Sequence, residues 1–218
     1  MSKYKCVIFD CDGVLVDSEA ISNGILADMA NQYGANLDLN AALKLFKGCS
    51  MEMCLDKIKA IVTSPIPDDF EAEYRRLSVD AFKSQIKPIA GVKEVVEELH
   101  RLNIPFCVAS SGLESKMRLN LELTGLLEYF EGHLFSCYTI QKWKPDPAVF
   151  LWAAETMGFL PNECVVIEDS YSGVTAAKAG GFDVFGFTAH DIHDQLKGNA
   201  TLEFEAMNQL ISLIQEAK

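Results

Sequence analysis

Apolar residues along this chain fall into two kinds of pattern. Four runs are short, continuous and bounded by polar or turn residues: Cys6–Phe9, Phe106–Ala109, Cys164–Ile167 and Val184–Phe187. Runs of that length without polar alternation predict parallel strands buried on both faces. Between them the period changes. Val92, Val95, Val96, Leu99 and Leu102 form the stripe of an amphipathic helix. Lys116–Thr124, Ala148–Met157 and Val174–Ala179 read as further helices. Strand alternating with helix after residue 90 predicts an α/β fold, a doubly wound, mostly parallel, Rossmann-like sheet.

Residues 18–86 break that alternation. They carry helical patterns at roughly 19–33, 40–46, 51–62 and 68–84 and no strand pattern, with Pro65 and Pro67 separating the last two. An all-helical insertion after the first strand predicts a separate domain over 18–86. The core domain is then 1–17 plus 87–218, with hinges near Asp17-Ser18 and Lys87-Pro88.

Composition narrows the function. The 218 residues are 49% hydrophobic and 23% charged, ordinary for a globular enzyme. A net charge of −12 disfavours nucleic acid and anionic membranes as partners. The seven cysteines show no paired spacing, which fits reduced thiols, most of them small buried apolar residues. With no transmembrane run or signal peptide visible, the expected location is the cytoplasm. The same negative charge repels anionic substrates, so a phosphate ester would need local lysines and a cation to reverse the field.

In an open parallel sheet, ligands bind at the carboxyl ends of the strands. After the first strand stands Asp10-Cys11-Asp12-Gly13, after the second Ser110-Ser111-Gly112, and after the third Glu168-Asp169-Ser170. Lys144 precedes Pro145-Asp146-Pro147 ahead of a predicted helix. Carboxylates, a hydroxyl and a lysine would converge on one sheet edge. Neighbouring carboxylates stay ionised together only around a cation, and an all-oxygen set suits Mg²⁺. A carboxylate beside Mg²⁺ and a phosphate is a setting for covalent phosphoryl transfer. Ser110, with backbone N–H groups around Ser111-Gly112, would hold phosphate oxygens, and Lys144 would add positive charge. Each feature alone has an ordinary explanation: a turn, a helix N-cap, a solvated lysine. Their order, each at a strand end or helix start, is the specific signal.

These residues resemble the four motifs of the haloacid dehalogenase superfamily of phosphohydrolases, in the branch containing β-phosphoglucomutase. Asp10-Cys11-Asp12-Gly13-Val14-Leu15-Val16-Asp17-Ser18 is similar to the first motif and Ser110 ends the second. Lys144-Pro145-Asp146-Pro147 is the third, and Glu168-Asp169-Ser170 with Gly173 the fourth. The resemblance implies Asp10 as nucleophile and metal ligand. Asp12 would be general acid/base and bind Mg²⁺ through its carbonyl. Asp169 would be the acidic metal ligand of the fourth motif, with Glu168 a second carboxylate that binds the metal directly or through water, and Ser110, Ser111 and Lys144 would hold the phosphoryl group. It also implies a cis Lys144–Pro145 bond and a helical cap over 18–86, whose Lys47-Gly48-Cys49-Ser50 resembles a substrate-specificity loop.

Mutases of this branch carry an Arg where this chain has Met51, and a His where it has Ser22. The resemblance therefore favours a hydrolase over a sugar phosphomutase, the alternative. Asp12 argues against the metal-free dehalogenases, which lack that second acid, and the intact motifs argue against a non-enzymatic module. The stretch Leu134-Phe135-Ser136 to Pro147, with Phe46-Lys47-Gly48, is similar to bacterial 6-phosphogluconate phosphatases. That implies a small sugar-phosphate or sugar-acid phosphate substrate. Lys44, Lys47 and Arg75 or Arg76 are candidate contacts for a second anionic group, against a solvated helix face, the more ordinary reading for the two arginines. Monomer and dimer both remain open.

Overall fold

The computed structural model describes residues 3–191 and 194–217. The strands are β1 (Cys6–Phe9), β2 (Phe106–Ser110), β3 (Leu134–Ser136), β4 (Cys164–Glu168), β5 (Asp183–Phe187) and β6 (Leu202–Phe204). The helices are α1 (Glu19–Asn31), α2 (Leu39–Phe46), α3 (Met51–Ile61), α4 (Phe70–Gln85), α5 (Val92–Arg101) and α6 (Glu114–Leu123). They continue with α7 (Leu127–Phe130), α8 (Cys137–Ile140), α9 (Ala148–Met157), α10 (Tyr171–Ala179) and α11 (Leu210–Glu216).

One parallel sheet runs β3-β2-β1-β4-β5-β6, the doubly wound α/β architecture expected. The chain winds outward through β2 and β3, then returns and winds the other way through β4, β5 and β6. The reversal lies between β1 and β4, and the crevice outside the carboxyl ends of such a pair is where open α/β sheets bind ligands. Strands β3 and β6 were not evident in the sequence. Each is three residues long, too short to show a period, and each lies at a sheet edge.

The all-apolar strands are explained by burial on both faces. Cys6, Ile8, Cys107, Ala109, Cys164 and Val166 pack with Val149, Phe150 and Ala153 of α9 and Val174 and Ala177 of α10. The alternate positions point the other way, where Phe9, Phe106 and Phe130 meet edge-to-face with centroids 5.2–6.4 Å apart. Trp152 packs on this core against Phe135, with ring centroids 4.8 Å apart.

The chain divides into two compact units, Met1–Val16 with Pro88–Lys218, and Asp17–Lys87. The second unit contains α1–α4 around its own core of Leu26, Ala30, Phe46, Ile58 and Phe70. Val16 bridges Pro88 within the first unit, and the Asp17 amide donates to the Lys87 carbonyl at 2.9 Å in the second. Among the described residues, no helix is long and apolar enough to cross a membrane.

Candidate active site

The register of the sheet builds the site. Phe9 pairs with Val108 on one side and Ile167 on the other, so Asp10 emerges between Ala109 and Glu168. Its amide donates to the Ile167 carbonyl at 2.9 Å. Lys144 reaches this point from outside the sheet. Its Nζ donates to Asp10 Oδ1 at 2.6 Å, Glu168 Oε1 at 2.7 Å and the Ala109 carbonyl at 3.0 Å, with the Phe150 ring beside it. The Lys144–Pro145 bond is cis. The Asp146 carboxylate accepts the Ala148 amide at 2.9 Å and anchors the segment to the start of α9.

Electrostatics explains why one lysine needs two carboxylates. Burying an ammonium costs several kcal/mol, whereas one close carboxylate at an effective dielectric constant of about 20 returns only about 4 kcal/mol. Burial pulls the Lys144 pKa down, but Asp10 and Glu168 together override it and hold the ammonium charged. Asp10 is pushed the other way. Burial raises its pKa, Lys144 opposes the rise, and Glu168, Asp169 and Asp12 add to it.

Glu168 has both oxygens engaged. Oε1 accepts Lys144, and Oε2 accepts the Asp169 amide, the Ser170 amide and the Ser170 hydroxyl at 2.9–3.0 Å. Ser170 also N-caps α10 by accepting the Gly173 amide at 3.1 Å. Gly173 is required here, because a Cβ on it would fall 1.8 Å from Glu168 Oε1. Gly13, at φ +80°, lets Asp169 lie over the loop after β1: a Cβ there would meet Asp169 Oδ2 at 2.2 Å.

The third wall is the turn after β2. Ser110 is buried and its Oγ accepts the Gly112 amide at 3.1 Å. Ser111 is half-buried beside Cys137, with Oγ 3.9 Å from the sulfur. A Cβ placed on Gly112 would be 3.5 Å from both Asp12 Oδ2 and Ser110 Oγ, so these groups surround one point. Neither serine caps α6; its N-cap is Leu113, with no side-chain cap.

The sequence reading missed Lys116. In the first turn of α6, it donates to Asp12 Oδ1 at 2.9 Å. A cation just inside the helix that follows a ligand-binding strand end was the available signal.

Among the described residues, no three carboxylate, thiol or imidazole side chains form a metal cage. Mg²⁺ does not need one, since it is commonly held by one or two carboxylates together with waters and substrate phosphate. The donor set fits such a cation. Four carboxylates (Asp10, Asp12, Glu168, Asp169) face two ammoniums (Lys144, Lys116), which leaves two negative charges, those one divalent cation balances.

In the second unit, Lys47 ends α2 and Gly48 follows at φ +73°. Ser50 is the N-cap of α3, accepting the Met53 amide at 3.3 Å. Met51 opens that helix, and Ser22 lies on α1. Arg75 pairs with Glu71, and Arg76 with Glu73 and Asp80, along α4. Such pairs belong to a solvated helix face.

The haloacid dehalogenase-like hydrolase family model matches residues 7–187. The 6-phosphogluconate phosphatase of Escherichia coli K12 is 32% identical, covering 98% of this chain and 96% of that protein. A haloacid dehalogenase-like protein of unknown function from Agrobacterium tumefaciens C58 superposes with a TM-score of 0.85 at 29% identity, over 97% of both chains. A family hydrolase from Deinococcus radiodurans R1, solved with bound phosphate and sodium, superposes with a TM-score of 0.80 at 25% identity, over 100% of both chains. The chain belongs to the haloacid dehalogenase-like hydrolase family, as one of its phosphohydrolases.

Proposed function

We propose that this enzyme is a Mg²⁺-dependent phosphatase that hydrolyses a small sugar phosphate or sugar-acid phosphate, such as 6-phosphogluconate, through an aspartyl-phosphate on Asp10. The observation that carries this reading is Lys144 held between Asp10 and Glu168 at the sheet reversal. Similarity to a 6-phosphogluconate phosphatase along nearly the whole chain supports the substrate class.

Asp10 Oδ1 is hydrogen-bonded by Lys144, and Oδ2 attacks phosphorus. Lys144, Ser110 and the amides around Ser111-Gly112 take up the charge that develops on the phosphoryl oxygens. Asp12 gives a proton to the leaving alkoxide, then takes one from the water that hydrolyses the intermediate. Lys116 holds the Asp12 carboxylate in place for both steps. Glu168, saturated by its donors, positions Lys144. Mg²⁺ would be held by the Asp10 and Asp169 carboxylates and the Asp12 carbonyl, and when bound would neutralise charge on the nucleophile and the phosphoryl group. The helical unit acts as a cap, with Lys47, Gly48 and Ser50 in its substrate loop, and excludes water during transfer.

A panel of phosphate esters compared by kcat/KM tests the substrate. 6-Phosphogluconate and related sugar phosphates should lead, and a preference for nucleotides would refute the narrower claim. Glucose 1-phosphate with a bisphosphate activator should release phosphate; faster formation of glucose 6-phosphate would identify a mutase instead.

A further inference from the structure

Of the seven cysteines, six are buried and Cys49 is partly exposed. Cys49 directly precedes the Ser50 N-cap of α3, and Cys54 lies in the first turns of that helix. In capping notation they are N′ and N4, the two positions that a helix start brings together as a staple. Here the staple is made of two thiols.

Lys57, on the same face of α3, completes the cluster. Its Nζ is 3.0 Å from Cys49 Sγ and donates to the Leu45 carbonyl at 2.6 Å, near the end of α2. That carbonyl, 3.6 Å from Sγ, already has a donor in Lys57, so ionising the thiol leaves it hydrogen-bonded. The sulfur therefore has an ammonium in hydrogen-bond reach, a neighbour that stabilises a thiolate.

We propose that Cys49 is a nucleophilic modification site for hydroperoxides and other soft electrophiles, with Cys54 as its resolving thiol. In the first step the Cys49 thiolate attacks a peroxide oxygen. An S–O bond forms, the O–O bond breaks, two electrons pass from sulfur to peroxide, and hydroxide (or alkoxide) leaves. In the second step the Cys54 sulfur attacks the sulfenic acid. The S–S bond forms, the S–O bond breaks, and the Cys54 proton leaves with hydroxide as water.

The acidity of the site agrees with its geometry. The neighbouring Cys54 thiol, aided by Lys57 and against the effect of burial, lowers the Cys49 pKa to about 6. Cys6, Cys11, Cys54, Cys137 and Cys164 are all shifted upward. At pH 6 such a thiol is about half ionised, against roughly 0.3% for an ordinary one. The weaker nucleophilicity of a low-pKa thiolate takes back about tenfold, so an advantage of roughly tenfold remains.

The test is alkylation of the whole protein with limiting iodoacetamide at pH 6, followed by peptide mapping, with an unstructured, blocked single-cysteine peptide as the reference thiol. Cys49 should react roughly tenfold faster than the reference; a rate no faster than the reference overturns the site. Lys57→Met should slow Cys49 several-fold, and an unchanged rate would remove its electrostatic basis. After stoichiometric hydrogen peroxide, the wild-type protein should lose two hydrogens in mass and give a Cys49–Cys54 crosslinked peptide. Cys54→Ser should instead give a dimedone-trappable sulfenic acid at Cys49. Sulfinic acid at Cys49 in the wild type, without the crosslink, overturns the role of Cys54.

Discussion

Lys144 Nζ lies 2.6 Å from Asp10 Oδ1 across 134 positions of sequence. The same nitrogen lies 2.7 Å from Glu168 Oε1, so one ammonium joins the ends of the two central strands. Removing it would leave two buried carboxylates facing each other. Lys144→Met should abolish turnover and cost about 3–5 kcal/mol of stability at neutral pH. The loss should shrink at pH 5, where Asp10, its pKa raised by burial, takes up a proton more readily. Thermal and urea denaturation at the two pH values would show this, and an equal loss at both would contradict the charge argument.

The raised pKa of Asp10 has a definite sign for stability. Its folded value lies above its unfolded value, so the stabilisation it contributes is complete below the unfolded pKa, near 4, and is lost as pH rises through the folded value. Without metal, the protein should therefore become less stable on going from pH 5 to pH 8, relative to Asp10→Asn. Saturating Mg²⁺ should restore the loss, since about a hundredfold excess over Kd is worth about 2.7 kcal/mol. In Asp10→Asn both effects should shrink, and turnover should fall by about 10⁴-fold or more. Melting curves with EDTA and with Mg²⁺ across this range provide the check.

Lys116 reaches Asp12 from α6. If it positions the general acid, its loss matters most when the leaving group needs a proton. Lys116→Met should lower kcat/KM for alkyl phosphates by about tenfold or more, a share of the 10²–10⁴ typical of acid–base catalysis. Aryl phosphates, whose leaving groups are stable as anions, should show a much smaller fall. The same fall for both classes would assign Lys116 to phosphate binding.

Gly173 touches no substrate in the proposed mechanism, yet it has no room for a methyl group beside Glu168. Gly173→Ala should displace Glu168, loosen Lys144 and cost about 1–3 kcal/mol. Urea denaturation together with kcat would report both effects; a variant with wild-type stability and rate would show that the loop relaxes freely.

The positions of the candidate site were legible in the chain because they follow a local rule. Asp10, Ser110 and Glu168-Asp169 stand where apolar runs stop, and run ends can be read without knowing how the strands pair. Helices α1–α4 were legible to within a few residues because their apolar spacing is periodic. The cluster around Cys49 was not, since its cysteines showed no paired spacing and became neighbours only when Ser50 started a helix between them.

Lys144 illustrates the remainder. The sequence by itself determined that a lysine precedes Pro145-Asp146-Pro147 and that carboxylates end two strands. Only the tertiary structure decided that this lysine lies between Asp10 and Glu168, that Lys116 reaches Asp12, and that Glu168 is engaged at both oxygens. The reason is physical: strand order and register are set by packing between distant segments, and a charge takes its partner from whatever that packing places within hydrogen-bond reach.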